Sequence, residues 1–521
     1  MLDYRSMAMR RTLLGIAFSL CFVVSGRAAE RPSILLICVD DLKPTLGCYG
    51  DATVKSPNID ALAARGLQFN NAYCNQAVCS PSRNALLTGL RPSTLGIYDL
   101  ATNFRVSRPD AVTLPQYFKQ HGYRTEGMGK IFHRGHGNHE DEASWSVPFW
   151  NADIVRYALK ENAPANANSR EAALFNNVKL AKAKDLSKGA AYEAADVADN
   201  LYPDGQVADE AIIRLENAAK KPEQPFFLAV GFIKPHLPFC APKKYWDLYD
   251  PASFKLADRS TPPEGAPPFA PTTWGELRNY AGMPEKGPVP DDDARKLIHG
   301  YHAAVSYMDA QVGRVIAELN KLGLAKNTII VLWGDHGWHL GDHGMWCKHT
   351  NYEEAAHIPL IVIDPRTRNG RGKVAGLVES VDLYPTLCIL AGLEVPQGLD
   401  GASFAKLLDD PTAPTKEAIL HVYPRGNRIG RALRTERYRL VEWKVPGAND
   451  DTAIYELYDY QGDPGENKNL ATERPEVVKE LMQKLSEFPE AKPQVKAIAA
   501  KEAKAAAKSK AGQKKPAKKA A

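Results

Sequence analysis

Ser33-Ile34-Leu35-Leu36-Ile37-Cys38-Val39, followed by Asp40-Asp41, and Thr328-Ile329-Ile330-Val331-Leu332-Trp333, followed by Gly334-Asp335-His336, share one design. Each opens as an apolar run without polar alternation, which predicts a strand covered on both faces, and each ends in acidic residues. Phe226–Phe232 and Ile358–Ile363 read the same way, and all four runs are expected to be parallel strands. Between them Leu297, Tyr301, Val305, Met308, Val312, Ile316 and Leu319 recur at helical spacing, predicting one long amphipathic helix over Asp293–Leu322. Strands alternating with helices imply an α/β fold, a mostly parallel sheet flanked by helices.

Near residue 415 the texture shortens to the strand-like pieces Ile419–Val422, Ala432–Thr435, Tyr438–Trp443 and Ile454–Asp459, closed by a helix over Pro475–Phe488. This predicts a small C-terminal α+β subdomain over residues 415–490, after a main α/β domain over residues 29–414. At the other end Arg10 and Arg11 precede the apolar run Leu13–Val24 and the small residues up to Ala29, the order of an export signal over residues 1–28. The run is too short to span a bilayer, so the expected location is periplasmic or secreted, without stable membrane insertion.

The 521 residues are 44% hydrophobic, enough for a large core, so a chain disordered throughout is excluded. The net charge of +5 misleads, because ten lysines and one glutamate lie within residues 491–521 and the rest of the chain is slightly acidic. That distribution does not suit a nucleic-acid groove, and no nucleic-acid partner is expected. The Ala/Lys tail cannot bury a core; it is expected to be disordered and solvated, with attachment to a polyanionic glycan as the alternative role. Eight cysteines are too few for a disulfide scaffold, and removal of the signal leaves seven, so at least one is unpaired or put to chemical use.

Asp40, Asp41, Asp335 and His336 all follow predicted strands and therefore share the rim where open α/β sheets collect ligands. Adjacent carboxylates repel unless a cation lies between them, and three of them suit a hard divalent ion. Turn or helix capping is the alternative role for any one pair. The second signal is Cys79-Ser80-Pro81-Ser82-Arg83, with Thr88-Gly89 behind it. Pro81 suits the first turn of a helix, which puts Cys79 at a helix N-terminus, where an anion is favoured or a thiol acidified; a purely structural cysteine is the alternative.

Cys79-x-Pro81-x-Arg83 with Thr88-Gly89 resembles the signature of the type I sulfatases, within the alkaline-phosphatase-like superfamily. The likeness runs from about Arg31 to about Leu485 and takes in Gly129-Lys130-Ile131-Phe132-His133, Lys234-Pro235-His236, Gly334-Asp335-His336-Gly337-Trp338-His339 and Lys348-His349. These motifs are most similar to the iduronate-2-sulfatase-like branch and its bacterial members. The resemblance implies that a maturation enzyme oxidises Cys79 to formylglycine. It also implies that Asp40, Asp41, Asp335, His336 and the modified Cys79 hold one calcium ion. Lys130 and Lys348 match the lysines that bind sulfate, and Arg83 matches the arginine that holds the formylglycine hydrate. His236 matches the general acid, and His133 is expected to assist collapse of the sulfated hemiacetal.

The implied activity is hydrolysis of a sulfate ester on a sulfated glycan, in particular a 2-O-sulfated uronic acid. His336 stands where many sulfatases have asparagine, so zinc, with His339, His343 and His349 nearby, is the alternative metal. Two other functions remain open on sequence: a formylglycine-dependent phosphodiesterase or phosphonate hydrolase, and a glycan-binding protein whose Cys79 stays unmodified.

Overall fold

The structure, a computed structural model, describes residues 31–152, 157–165, 186–257, 261–367 and 369–495. The expected signal, part of the polar stretch before residue 186, and the tail beyond residue 495 lie outside the described residues. Seven strands build the main sheet: β1 (Ser33–Val39), β2 (Leu67–Tyr73), β3 (Arg124–Gly129), β4 (Phe226–Phe232), β5 (Thr328–Gly334), β6 (His357–Ile363) and β7 (Gly372–Glu379). Their spatial order is β7-β2-β6-β5-β1-β4-β3. β1 pairs in parallel with both β4 and β5, and β3 with β4, as the alternation of strands and helices predicts.

β6 is antiparallel to both of its neighbours, which corrects the parallel reading of Ile358–Ile363. The chain between β5 and β6 makes a short hairpin, His339–Leu340 against Trp346–Cys347, closed by a 3-10 turn over Asp342–Gly344, and a one-turn helix, Glu353–Ala356. No crossover carries it to the far edge, so it re-enters the sheet from the rim it left.

The apolar runs face two cores with strand periodicity. Leu35, Ile37 and Val39 point into one, together with Leu228, Val230, Phe232, Ile330 and Leu332. Ile34, Leu36 and Cys38 point into the other, with Phe227, Ala229, Ile329, Val331 and Trp333. The first core is roofed by α3 (Asp291–Lys321), which presents Leu297, Tyr301, Val305, Met308, Val312 and Leu319, and by α2 (Pro203–Ala219). The second is covered by α1 (Cys79–Thr88) and α4 (Leu383–Leu390). β3 and β7, the two edges of the sheet, carry charge and glycine where central strands carry aliphatics, and neither was legible as a strand.

Beyond the main sheet, β8 (Ala418–Arg425), β9 (Arg428–Thr435), β10 (Tyr438–Lys444) and β11 (Ile454–Asp459) form an antiparallel meander, with α5 (Pro475–Leu485) packed on it. Its contribution to the rim is concrete. Arg425 donates to the carbonyls of Phe269, Ala270 and His349, and Arg439 donates to the carbonyl of Asn351 at 2.7 Å. The start of the expected tail is not free: Lys492 N donates to Ser93 O at 3.1 Å and Val495 N to Gly96 O at 2.7 Å.

Where β3 and β4 end, the backbones approach so closely that two glycines are required. Gly129 has φ +73°, and a Cβ on Gly231 would meet the Lys130 carbonyl oxygen at 2.2 Å. Gly231→Ala is therefore expected to push Lys130 aside and to cost about 1–3 kcal/mol of stability, measured by chemical denaturation. Unchanged stability would contradict this close approach.

Candidate active site

Register alone gathers the first groups. Val39 pairs with Phe232 on one side and Gly334 on the other, and Gly129 pairs with Gly231. Asp40, Lys130, Asp335 and the Ile233–His236 segment therefore leave the sheet side by side. β2 runs parallel to β1 and ends at Tyr73 on the same rim, so the chain reaches Cys79 at the start of α1 within a few residues. Successive side chains of a strand point to opposite faces, yet Asp40 and Asp41 share one cavity because Asp41 turns into the left-handed region at φ 59°. That turn is pinned twice. Asp41 N donates to Asp335 Oδ1 at 3.0 Å, and the Tyr301 hydroxyl donates to the Asp41 carbonyl at 2.8 Å while accepting from Lys43 N at 3.0 Å.

Arg83, one helical turn after Cys79, is wholly buried and ties the rim together. Its Nη2 donates to Asp40 Oδ1 and its Nε to Asp335 Oδ2, both at 3.0 Å, and Nη1 donates to the carbonyls of Lys130 and Ile131. Its hydrogen bonds run to the carboxylates and backbone rather than to the Cys79 thiol. Lys130 Nζ donates to Asp40 Oδ2 and stands 3.6 Å from Cys79 Sγ. Lys348 Nζ lies 2.9 and 3.0 Å from the two oxygens of Asp41 and 4.9 Å above the centre of the Trp338 ring. Its neighbours Cys347 and His349 are both left-handed, at φ 68° and 76°, and the Arg425 bond to the His349 carbonyl helps hold that strained loop.

Asp40, Cys79, Asp335 and His336 present ligand atoms all within 4.8 Å of one another, and so do Asp40, Asp41, Cys79 and His236. His336 Nε2 is 3.4 Å from Cys79 Sγ and 3.3 Å from Asp41 Oδ1, and its Nδ1 faces the Gly337 carbonyl. The donor set, three buried carboxylates with one imidazole and one sulfur atom, fits a divalent cation. The charge balance points the same way. Burial pushes Asp335 up to about 7, with Asp40 adding to the effect, and burial likewise raises Asp41 well above the usual carboxylate range. Asp40 is held well below that range: burial opposes its ionisation, but Lys130 and Arg83 outweigh it. A cavity with this much unneutralised carboxylate calls for further positive charge.

The alternative zinc trio does not assemble. His339 Nε2 pairs with Thr350 Oγ1 at 2.9 Å, while His343 faces the carbonyls of Thr261 and Gly465 at 3.2 and 2.8 Å. Neither these two nor His349 joins a cluster of ligand atoms among the described residues. The expectation of an acidified thiol at Cys79 also fails. Burial pushes it well above its ordinary value, and the Asp40 carboxylate adds to that, so the helix N-terminus does not prevail. The seven cysteines among the described residues are free thiols.

His236 Nδ1 faces the Leu237 carbonyl, which leaves Nε2 toward the cavity, 3.9 Å from Asp41 and 4.0 Å from Asp40. Burial, then the Lys130 and Lys348 ammonium groups, bring it down to about 3, so the imidazole is neutral in the resting site. Two buried cradles position it. The Asp204 carboxylate accepts from the backbone N–H of Ile233 and Lys234 at 2.7 and 2.8 Å, and Lys234 Nζ donates to the His236 and Pro238 carbonyls at 2.6 Å. His133 sits behind Lys130 with Nε2 3.2 Å from His136 Nδ1, and its own Nδ1 is buried without a partner among the described residues. Sequence reasoning missed Asp204, Tyr301 and Glu276. The first two lie within helical patterns that hide them. Glu276 comes from a loop without a motif, yet lies 3.3 Å from His236 Nε2 and 3.1 Å from Lys348 Nζ.

Residues 32–393 match the family described as Sulfatase, and residues 341–491 match the C-terminal region of N-sulphoglucosamine sulphohydrolase. Human iduronate 2-sulfatase is 36% identical over 88% of this chain and 95% of its own length. Among solved structures, a complex with the substrate D-glucosamine-2-N,6-O-disulfate superposes with TM-score 0.68 at 22% identity, over 88% of this chain and 97% of the other. The phosphonate monoester hydrolase of Silicibacter pomeroyi superposes equally well, with TM-score 0.68 at 22% identity over 88% and 95% of the two chains, so these structures establish the shared fold. With the family match spanning most of the chain and a full-length relative above one-third identity, this protein belongs to the sulfatase family and is a sulfatase similar to iduronate 2-sulfatase.

Proposed function

We propose that the protein is an exported hydrolase that removes sulfate from a sulfated glycan, a 2-O-sulfated uronic acid in the first instance, using an aldehyde derived from Cys79 and one calcium ion. The observation that carries the reading is the convergence of two buried ammonium groups, Lys130 and Lys348, with three carboxylates around Cys79. The human relative's name supports the choice of sugar. Export rests on the N-terminal sequence; no helix among the described residues is long and apolar enough to cross a membrane.

The buried thiol is raised rather than lowered, so Cys79 is not itself a nucleophile at neutral pH and oxidation by a maturation enzyme gives it a role. The hydrated aldehyde would supply the attacking oxygen, and an ion held by Asp40, Asp41, Asp335, His336 and residue 79 would supply positive charge beside it. Lys130 and Lys348 bind the charged sulfate oxygens and lower the cost of bringing a nucleophile to an anion. Arg83 holds Asp40 and Asp335 in place through their mutual repulsion. His236 offers Nε2 to the leaving oxygen. Neutral in the empty site, it gains its proton when the anionic ester offsets the two ammonium groups. His133, beside Lys130 and depressed by burial, serves as the base for release of sulfate.

Mass spectrometry of the tryptic peptide spanning residues 66–83 is expected to show Cys79 as the aldehyde, and Cys79→Ala is expected to abolish turnover while the chain still folds. A thiol retained in fully active enzyme would refute the nucleophile. Faster turnover of an aryl phosphonate than of an aryl sulfate would refute the reaction class.

His236→Ala is expected to cost about 10²–10⁴ in kcat on sugar sulfates and much less on aryl sulfates, whose leaving groups need no proton. Equal losses on both would contradict the acid role.

Metal binding must displace the proton that burial holds on Asp335, whose carboxyl lies at about 7 in the metal-free protein. Calcium affinity, measured by titration calorimetry, is therefore expected to rise with pH between about 5 and 7, with proton release on binding. Affinity independent of pH between 5 and 7, or calcium still bound by Asp335→Ala, would contradict the assignment.

A further inference from the structure

Glu276 is a half-buried acceptor that the reaction outlined above does not use. Its side chain is 20% exposed, at the cavity edge just before the turn Leu277–Asn279. Oε1 faces His236 Nε2 at 3.3 Å and accepts from Lys348 Nζ at 3.1 Å. Oε2 is shielded from water and receives no hydrogen bond among the described residues, although the same ammonium lies 3.1 Å away in poor geometry. Burial alone would raise this carboxyl, but Lys348 first, then His236 and His349, keep it well below its usual value, so it is an anion.

Neutralising Lys348 does not explain it, because Asp41 already engages that ammonium with both oxygens. An ionised oxygen shielded from water and left without a well-directed donor is stabilised when something brings it a hydrogen. The substrate passes here. The leaving oxygen must come within about 2.6–3.2 Å of His236 Nε2, so an acceptor 3.3 Å from that nitrogen is within reach of a group on the carbon next to the sulfated one.

We propose that Glu276 determines specificity: it accepts a hydrogen bond from a free hydroxyl on the carbon adjacent to the sulfate ester. The substrate class is a sulfate ester flanked by an unsubstituted hydroxyl. An ester flanked instead by a second sulfate or a carboxylate meets two anions at contact distance and is rejected. The inference rests on the sulfate-ester reading and narrows it.

The test compares kcat/KM for three synthetic sugar sulfates: one with the vicinal hydroxyl free, its deoxy analogue, and the vicinal disulfate. The wild-type enzyme is expected to prefer the hydroxyl over the deoxy substrate by about 10- to 100-fold, the effect of one hydrogen bond to a charged group. In Glu276→Ala that ratio is expected to fall to within about threefold of unity. Glu276→Gln keeps the shape and removes the charge, and is expected to improve the disulfate relative to the monosulfate at least about tenfold. If the alanine variant fails to fold, the glutamine variant carries the disulfate comparison alone.

A wild-type ratio near one, the same ratio in wild type and Glu276→Ala, or an unchanged disulfate ratio in Glu276→Gln would overturn the inference and leave the sulfatase reading intact. A wild-type enzyme with its aldehyde formed but inactive on every sulfate ester would overturn that reading, and this inference with it.

Discussion

The buried guanidinium of Arg83, bonded at once to Asp40 and Asp335, is the interaction on which the rest depends. Parallel pairing of β1 with β5 puts two carboxylates abreast at the end of the sheet, and the turn at Asp41 adds a third. Each is fully buried. Charges placed so close in a medium of low dielectric repel strongly, and breaking a buried pair costs about 3–5 kcal/mol because a naked charge remains. Lys130 and Arg83 hold Asp40 as an anion and Lys348 faces Asp41, while burial raises Asp335 and Asp41 and Glu276 returns a further negative charge to the cavity. A site balanced in this way is primed for two incoming species, a divalent cation against the carboxylates and an anion against the lysines.

The scaffold supplies this balance through elements whose chain positions are remote. Glycine at 129 and 231 lets two strand ends approach until Lys130 reaches Asp40. Asp204 and Lys234 fix the loop that carries His236. The C-terminal sheet, which offers no ligand to the cavity, contributes by bonding carbonyls along the loop that follows Lys348. Held from behind, that loop keeps Cys347 and His349 in a backbone conformation that ordinary side chains avoid.

Much of this was legible in the sequence, for physical reasons. Strands covered on both faces must be apolar throughout, so β1, β4, β5 and β6 announced themselves, and acidic residues just past two of them marked the rim. The direction of β6 was not legible, because direction depends on the path of the intervening chain and leaves no trace in side-chain pattern. β2, β3 and β7 escaped because polar residues and glycines interrupt their apolar pattern: Gln68, Asn70 and Asn71 in β2, Glu126 with two glycines in β3, and Lys373 with two glycines in β7. Lys130, His236 and Lys348 were found through motif likeness, and their convergence on Cys79 came from register and loops. Glu276 stayed hidden, since a single carboxylate in a loop acquires meaning only from its neighbours in space. The thiol was misjudged because a helix N-terminus was weighed without the burial that surrounds it.

The central claim is that Arg83 and the rim carboxylates form one electrostatically coupled unit. A double-mutant cycle on unfolding free energy, with Arg83→Met and Asp335→Asn alone and together, measures that coupling most directly. The account predicts that the double variant is less destabilised than the two single losses combined, by about 2–3 kcal/mol, because Asp335→Asn leaves no carboxylate at that position for Arg83→Met to strand. Strict additivity of the two substitutions would contradict it.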